Sequence, residues 1–337
     1  MRRFVACGIL IASVVALAAD SPQPHRDAFA ANKALGRGMN LGNALEAPEE
    51  GAWGVRVKPE YFTAIKQAGF QTVRLPVKWS AHAESKPPYT LDPQFADRVD
   101  RAVDQALANG LNIVVDLHHY SEMDANPDEH LRRLVGLWKQ IAARYNDRPV
   151  GVYFELLNEP HGKLTNVKWN AAIPQVLAAV RETNPTRPVI VGPETWNAIS
   201  ALDKLELPAT DRRLIVTVHY YDPYEFTHQG APWDRAAVKW KGRKWGGTAE
   251  ERAAVTKQLE RAAAWAKAHD RPIFLGEFGA YHVADAESRA RWTAFVAREA
   301  ERLDFSWAYW EFCSGFGAYD AKTEKWLPGL KTALIPQ

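Results

Sequence analysis

Cysteine is scarce in this 337-residue chain, which has only Cys7 and Cys313. Because we expect Cys7 to be removed with an N-terminal segment, no internal disulfide is available to the mature protein. The chain also lacks a surplus of charge, with 42 Lys and Arg against 40 Asp and Glu. Balanced charge gives no net field that would draw the protein to nucleic acid or to an anionic membrane. A hydrophobic content of 47% excludes a disordered chain, so we expect a large folded core.

The N-terminus has the pattern of a secretory signal. Arg2 and Arg3 precede an apolar run over residues 4–17, which is shorter than the roughly 20 residues needed to cross a bilayer. The small residues Ala16 and Ala18 favour cleavage after position 18. We therefore predict a signal peptide over 1–18, a polar segment over 19–31 and one catalytic domain over 32–337. The mature protein is expected to be secreted, periplasmic or extracellular, and monomeric; an N-terminal membrane anchor is the less favoured alternative.

The remainder of the chain alternates short β-rich runs with amphipathic helical patterns. Most of the runs are apolar without strict alternation, as in parallel strands that are buried on both faces. Eight such units predict a single α/β domain of the (β/α)₈ TIM-barrel class. A doubly wound open sheet is disfavoured because no Gly-x-Gly-x-x-Gly follows the first strand. The predicted strands are Gly38–Leu41, Thr72–Pro76, Asn112–Leu117, Val152–Leu157, Val189–Val191, Leu214–Val218, Ile273–Leu275 and Ser306–Trp310.

Unusual polar and aromatic residues follow seven of the eight strands, at the end where a barrel builds its active site. One such residue could be a satisfied buried group, but seven strands with this feature indicate a functional site. The residues are Asn40, Asn43, Glu46, Arg74, Asp116, His118, His119, Asn158, Glu159, His219, Tyr220, Tyr221, Glu277, Trp310 and Glu311.

Two of these carboxylates suit the hydrolysis of a glycosidic bond. Glu159 and Glu277 follow strands four and seven, which face each other across an eight-stranded barrel. Such a reaction needs one protonated carboxyl for the leaving oxygen and one ionised carboxyl to attack or to activate water. Arg74 and Tyr221 could hold Glu277 ionised, which leaves Glu159 with a raised pKa as the acid. Asn158, beside Glu159, can bind the sugar 2-hydroxyl.

This set of residues resembles glycoside hydrolase family 5. The resemblance covers the chain after the signal, in the family's order along the strands. It rests on Arg74, His118, the Asn158-Glu159-Pro160 motif, His219-x-Tyr221, Glu277 within Gly-Glu-Phe-Gly, and Trp310.

The resemblance implies a retaining endo-β-1,4-glycanase of the endoglucanase and mannanase kind, without metal or cofactor. Glu159 would be the acid/base and Glu277 the nucleophile, with carboxyls about 5 to 5.5 Å apart rather than the roughly 6.5 to 9.5 Å of inverting enzymes. His118, His219, Tyr221 and Trp310 would line the subsite of the cleaved sugar. Arg74 and Asn158 are grouped with them as substrate-binding residues.

Further motifs resemble one branch of the family, endoglucanases with added mannanase activity. They are Gly42–Glu46, the second histidine His119, and the run from Phe226 to Gly230. By this resemblance Asn43, Glu46, His119 and His228 would bind sugar. Trp233 is expected to be a sugar platform, because a flat aromatic ring matches the C–H face of a pyranose.

Two other functions remain open at this point. Asp116 and His118 sit at alternate positions of one strand and could both point inward as ligands of a barrel metallohydrolase. A secreted glycan-binding protein that has lost turnover is the second alternative, although intact Glu159 and Glu277 argue against it.

Overall fold

The strands form a closed parallel barrel in the computed structural model, which describes Met1 and residues 27–336. Eight strands pair in chain order, and the first pairs with the eighth to close the barrel. The predicted TIM-barrel fold is therefore confirmed. The strands are β1 (Arg37–Asn40), β2 (Thr72–Val77), β3 (Asn112–Leu117), β4 (Val152–Glu155), β5 (Val189–Val191), β6 (Leu214–His219), β7 (Ile273–Glu277) and β8 (Ser306–Tyr309).

Helices cover the outside of the barrel. Their apolar stripes face the strands, as in α3, where Val99, Ala102 and Ala106 are buried. β5 is followed by a short 3₁₀ helix, Ile199–Lys204, instead of an α-helix. The helices are α1 (Ala28–Leu35), α2 (Pro59–Ala68), α3 (Pro93–Ala108), α4 (Ser121–Ala125), α5 (Pro127–Arg144), α6 (Asn166–Arg181), α7 (Tyr224–Thr227), α8 (Ala249–His269), α9 (Ala286–Arg302) and α10 (Pro328–Leu334). A hairpin of β9 (Tyr319–Asp320) and β10 (Lys325–Trp326) precedes α10.

The first helix corrects the predicted domain boundary. Residues 28–31 were expected in a polar segment, but they form the first turn of α1, in which Ala28 and Ala31 are buried. The Ala31 carbonyl accepts the Tyr153 hydroxyl, and Asn32 donates to the Ile273 carbonyl. The domain therefore begins at or before Ala28. The predicted signal peptide, apart from Met1, and the rest of the polar segment lie outside the described residues.

The barrel interior changes character from one end to the other. Beside α1 it is apolar, formed by alternate strand residues that include Val114, Tyr153 and Phe274. Further along the same strands it becomes polar, with Arg74, Asp116 and Glu155 buried. The charged layer therefore lies toward the carboxyl ends of the strands. Within the described residues, no helix has both the length and the hydrophobicity needed to cross a membrane.

Candidate active site

A cavity of about 620 Å³ lies at the carboxyl ends of the strands. Nine predicted site residues line it, which brings together side chains from loops after most of the strands. A second cavity, of about 730 Å³ beside Phe29, lies next to α1 at the opposite end, where barrels do not place active sites. The first cavity, called the cleft below, is lined by Asn43, Trp53, His118, His119, Glu159, Tyr221, His228, Trp233, Glu277, Tyr281, Trp310, Ser314, Gly315 and Phe316.

Glu159 and Glu277 meet in this cleft. One carboxylate oxygen of each, together with a ring nitrogen of His219, lie within 4.8 Å of one another. His219 Nδ1 lies 2.8 Å from Glu159 Oε1 and 3.6 Å from Glu277 Oε2. The separation fits the short spacing of a retaining pair and leaves no room between the carboxylates for the water that inversion requires.

Glu277 is held by two strong donors. Arg74 Nη1 and the Tyr221 hydroxyl each donate to one of its carboxylate oxygens, both at 2.8 Å. Burial raises the pKa of this carboxyl, whereas His219, the Arg74 charge and the Tyr221 hydrogen bond act to lower it. These contacts stabilise the ionised form and fix the orientation of the carboxylate.

Glu159 has a different environment, because its side chain contacts the His219 imidazole rather than a guanidinium. Burial raises the pKa of Glu159 to about 7, against the opposing charges of Arg74 and His161. Asp116 and Glu155 raise it further. The residue also has a φ of 47°, an uncommon left-handed conformation for a non-glycine residue that is often found at active sites. Of the two carboxyls, Glu159 is therefore the one placed to keep a proton near neutral pH.

Arg74 corrects one prediction and explains another. It was grouped with the sugar-binding residues, but it is fully buried beneath the cleft. Its Nε and Nη2 donate to both oxygens of Glu155, at 2.7 and 2.9 Å, and Nη1 also contacts Asn40. Arg74 therefore supports Glu277 from below and does not line the substrate cavity. The sequence analysis did not identify Glu155 as a site residue, because it resembles an ordinary strand residue. It lies two residues after the inward-facing Tyr153, and this spacing alone would have indicated that Glu155 also faces the barrel interior.

Glu46 is a second correction. Its carboxylate was expected to bind sugar, but it is buried and accepts the backbone N–H groups of Asn43 and Ala44. Burial raises its pKa to about 8 despite these bonds. Glu46 therefore shapes the loop after β1, while Asn43 from the same loop reaches the cleft.

The remaining predicted polar residues lie either on the wall of the cleft or beneath it. His118, His119, Tyr221 and His228 line the cleft, whereas His219 lies beneath the carboxylate pair. Asn158 is nearly buried, and its Oδ1 accepts Arg74 Nη2 at 2.8 Å. Only the Asn158 amide nitrogen therefore remains to meet a sugar hydroxyl.

Aromatic rings form the walls of the cleft. Trp310 lies nearly parallel to His118, at 4° and 5.8 Å between ring centroids, and a Cβ on Gly42 would come within 2.7 Å of its ring. Trp233 packs edge-on to Tyr281 and is 59% exposed. Trp233, predicted as a platform, and Trp310, predicted to line the subsite, therefore both lie in the cleft. Of the other loop tryptophans, Trp53 also lines it, whereas Trp79 and Trp245 are buried in the core.

The arrangement of Asp116 and His118 disfavours the alternative of a metal centre. Asp116 Oδ2 is hydrogen-bonded to His118 Nδ1 and lies 3.2 Å from Arg74 Nη2. A cation at this oxygen would lie close to the positive guanidinium of Arg74, which repels it. These residues therefore belong to the support of the carboxylate pair.

Comparison with known proteins gives one consistent family. The model of the cellulase family, glycosyl hydrolase family 5, matches residues 32–315. Endoglucanase H of Acetivibrio thermocellus is 36% identical over 285 residues, which are 85% of this chain but 30% of that protein. This chain thus spans about a third of that relative's length.

Solved structures agree with this assignment. Thermotoga maritima Cel5A in complex with a mannotriose substrate is 50% identical with a TM-score of 0.90, and the match covers 92% of this chain and all of that one. Cel5A in complex with cellobiose matches equally well. From the family model, the relatives and the shared architecture, we conclude that the chain belongs to glycosyl hydrolase family 5, the cellulase family.

Proposed function

We propose that this protein hydrolyses internal β-1,4 linkages of glucan with retention of anomeric configuration. The observation that carries the proposal is the carboxylate pair within 4.8 Å, one member paired with Arg74 and the other with a pKa of about 7. Endoglucanases of the same family, aligned along most of the chain, support the same activity.

The reaction proceeds in two displacements. Glu277 attacks the anomeric carbon, and the proton of Glu159 passes to the glycosidic oxygen as the bond to the leaving sugar breaks. Glu159, now ionised, takes a proton from a water molecule as that water attacks the anomeric carbon. The bond between the anomeric carbon and the Glu277 carboxylate then breaks. Both carboxyls return to their starting states. The glucan substrate carries no charge, which agrees with a cleft walled by neutral aromatic rings.

Mannan is proposed as a second substrate. The support is the similarity to Cel5A, which has been solved with mannotriose and with cellobiose. A side-by-side assay of new reducing ends on β-glucan, carboxymethylcellulose, glucomannan and galactomannan tests both substrates. Activity on β-glucan with none on either mannan would remove the second substrate and leave the first.

Turnover separates this function from a non-catalytic glycan-binding protein. The test is incubation of purified protein with β-glucan, followed by measurement of viscosity and of reducing ends. An early fall in viscosity is expected, because internal cleavage shortens a polymer faster than release from its ends. Binding without new reducing ends would overturn the proposal.

Secretion and a monomeric state complete the proposal. Secretion rests on the N-terminal pattern of Arg2, Arg3 and the apolar run after them. The monomeric state agrees with a cleft whose lining comes from one chain. N-terminal sequencing of protein exported by a bacterial host is expected to begin at Ala19. Size-exclusion chromatography with light scattering is expected to give a single-chain mass.

A further inference from the structure

We propose that Asp116 is a positioning residue that acts through His118 and Arg74 to align the sugar-binding imidazole with the nucleophile. The inference rests on the proposed function and assigns a part in it to a buried acid that does not itself reach the cleft. Asp116 and His118 are two residues apart along the end of β3, so both side chains face the barrel interior.

The contacts of Asp116 join the two sides of the site. Oδ2 accepts a hydrogen bond from His118 Nδ1 and lies 3.2 Å from Arg74 Nη2. Oδ1 is buried and has no hydrogen-bond partner among the described residues. The side chain is completely buried, so solvent cannot substitute for either contact. A single carboxylate oxygen thus links the arginine that holds Glu277 to a histidine of the cleft wall.

The first consequence concerns His118. An imidazole whose Nδ1–H is bound to a carboxylate has a fixed ring plane and presents an unprotonated Nε2. Burial and the charge of Arg74 lower the pKa of His118 well below 6.5, so the ring is neutral. It lies parallel to Trp310 and edge-on to His119, at 5.8 and 4.4 Å between centroids. Asp116 therefore makes His118 a hydrogen-bond acceptor for a sugar hydroxyl at this point of the cleft.

The second consequence concerns charge. The single positive charge of Arg74 faces three carboxylates, those of Asp116, Glu155 and Glu277. The negative charge of Asp116 also acts on Glu159, where it favours the protonated form. The titratable groups around Asp116 come from five parts of the barrel. They are Arg74 on β2, His118 directly after β3, Glu155 and Glu159 on and after β4, His219 on β6 and Glu277 on β7. Removal of the Asp116 charge is expected to lower the pKa of Glu159.

Two substitutions separate orientation from charge. D116N keeps an oxygen that can accept the His118 Nδ1–H but removes the charge. D116A removes both. T217V is the matched control, because Thr217 on β6 is also fully buried in the barrel and its hydroxyl has no hydrogen-bond partner in the part of the chain that the structure describes. Each protein is assayed for kcat and KM on β-glucan between pH 5 and 9, with its thermal unfolding measured in parallel.

We expect D116A to lose at least about 10-fold in kcat/KM, as is typical when a carboxylate that orients a functional imidazole is removed. D116N is expected to lose less and to shift the alkaline limb of kcat/KM to lower pH. T217V is expected to keep both the rate and the pH profile of the wild type. The double variant D116A/H118A is expected to lose less activity than the product of the two single losses, because the hydrogen bond between Asp116 and His118 is removed only once.

Additive losses in the double variant, or an unshifted alkaline limb in D116N, would overturn the inference and leave Asp116 as a structural residue. If D116A does not fold, the alkaline limb of the D116N pH profile alone tests the inference. Absence of hydrolysis by the wild type in the same assay would instead contradict the proposed function.

Discussion

At the scale of single residues, the site separates two chemically identical carboxyls by their neighbours. Glu277 is hydrogen-bonded to the guanidinium of Arg74 and the phenol of Tyr221, whereas Glu159 is hydrogen-bonded to the imidazole of His219. The difference in donors, more than the difference in burial, sets which carboxyl is ionised. Each carboxyl can therefore be tested by itself.

Replacement of the nucleophile should stop the reaction. We expect E277A to reduce kcat on β-glucan by at least about 10³-fold, because no other group can form the glycosyl ester. Azide should restore part of the rate on an activated aryl cellobioside, with inversion of configuration, since the small anion fits the space left by the side chain. E287A, which removes an exposed acid on α9, serves as the control. Near-normal activity of E277A would show that the roles are wrongly assigned.

The pH profile should report Glu159. As general acid it must hold a proton, so kcat/KM is expected to fall as pH rises through about 7, the pKa that burial produces. In E159A the alkaline limb should disappear on a dinitrophenyl cellobioside, whose leaving group needs no protonation. Persistence of the limb in E159A would assign it to another group.

At the scale of elements, the strands are the part of the fold that the sequence predicts well. All eight predicted strands are present, because a buried parallel strand is a short apolar run between helical patterns. β4 ends at Glu155 rather than Leu157, since the apolar Leu156 and Leu157 continue the pattern beyond the pairing. Helix α1 was missed because residues 28–31 were placed in the polar segment; only the closed barrel gives its alanines and Asn32 a surface to cover.

The loops show what sequence alone does not supply. Glu46 was taken as a sugar ligand and Glu311 was left without a role, yet each binds backbone N–H groups of its own loop. A motif identifies the residue type but not the direction of its side chain, which depends on the turn that follows the strand. The meeting of Glu159 and Glu277 was predictable because strands four and seven of a closed barrel must face one cleft.

The loop after β8 depends on one buried carboxylate. Glu311 accepts the N–H groups of Cys313, Ser314 and Phe316 at 2.8 to 3.1 Å. We expect E311A to lower the free energy of unfolding by about 2–4 kcal/mol, because it leaves buried donors unpaired. KM on β-glucan should rise as well, since Ser314, Gly315 and Phe316 line the cleft. Denaturant unfolding and steady-state kinetics check the two effects.

E311Q is the matched variant for this loop. It keeps the shape but offers one carbonyl oxygen in place of two, so its effects should be smaller than those of E311A. An unchanged KM in E311A would mean that the loop holds its conformation without the carboxylate.

At the scale of the whole molecule, stability should fall as pH rises from about 6.5 to 8. Acids with raised pKa values hold protons in the folded state that the unfolded chain has already released, so deprotonation favours unfolding. Buried histidines with lowered pKa values act in the opposite direction, but only below their unfolded pKa of about 6.5. The acids are Glu46, at about 8, and Glu159 and Glu311, each at about 7; the histidines are His119, His219 and His228, at about 2, 4 and 4.

Calorimetry between pH 5 and 8.5 measures this dependence. The Tm is expected to change little below pH 6.5, where acids and histidines oppose each other, and to decline above it. E46Q should make the decline shallower. A Tm that rises between pH 6.5 and 8 would contradict the assignment of protons to these buried acids.

The arrangement around Arg74 restricts how this protein can diverge. Exchange of the arginine alone would leave three buried carboxylates without a cation, and exchange of Glu155 alone would leave the buried Nε of Arg74 without its acceptor. Viable descendants must therefore alter several of these positions together or none of them. Substrate specificity can change more easily at the exposed edge of the cleft. There Trp53 and Trp233 can be substituted one at a time without affecting the charges around Arg74.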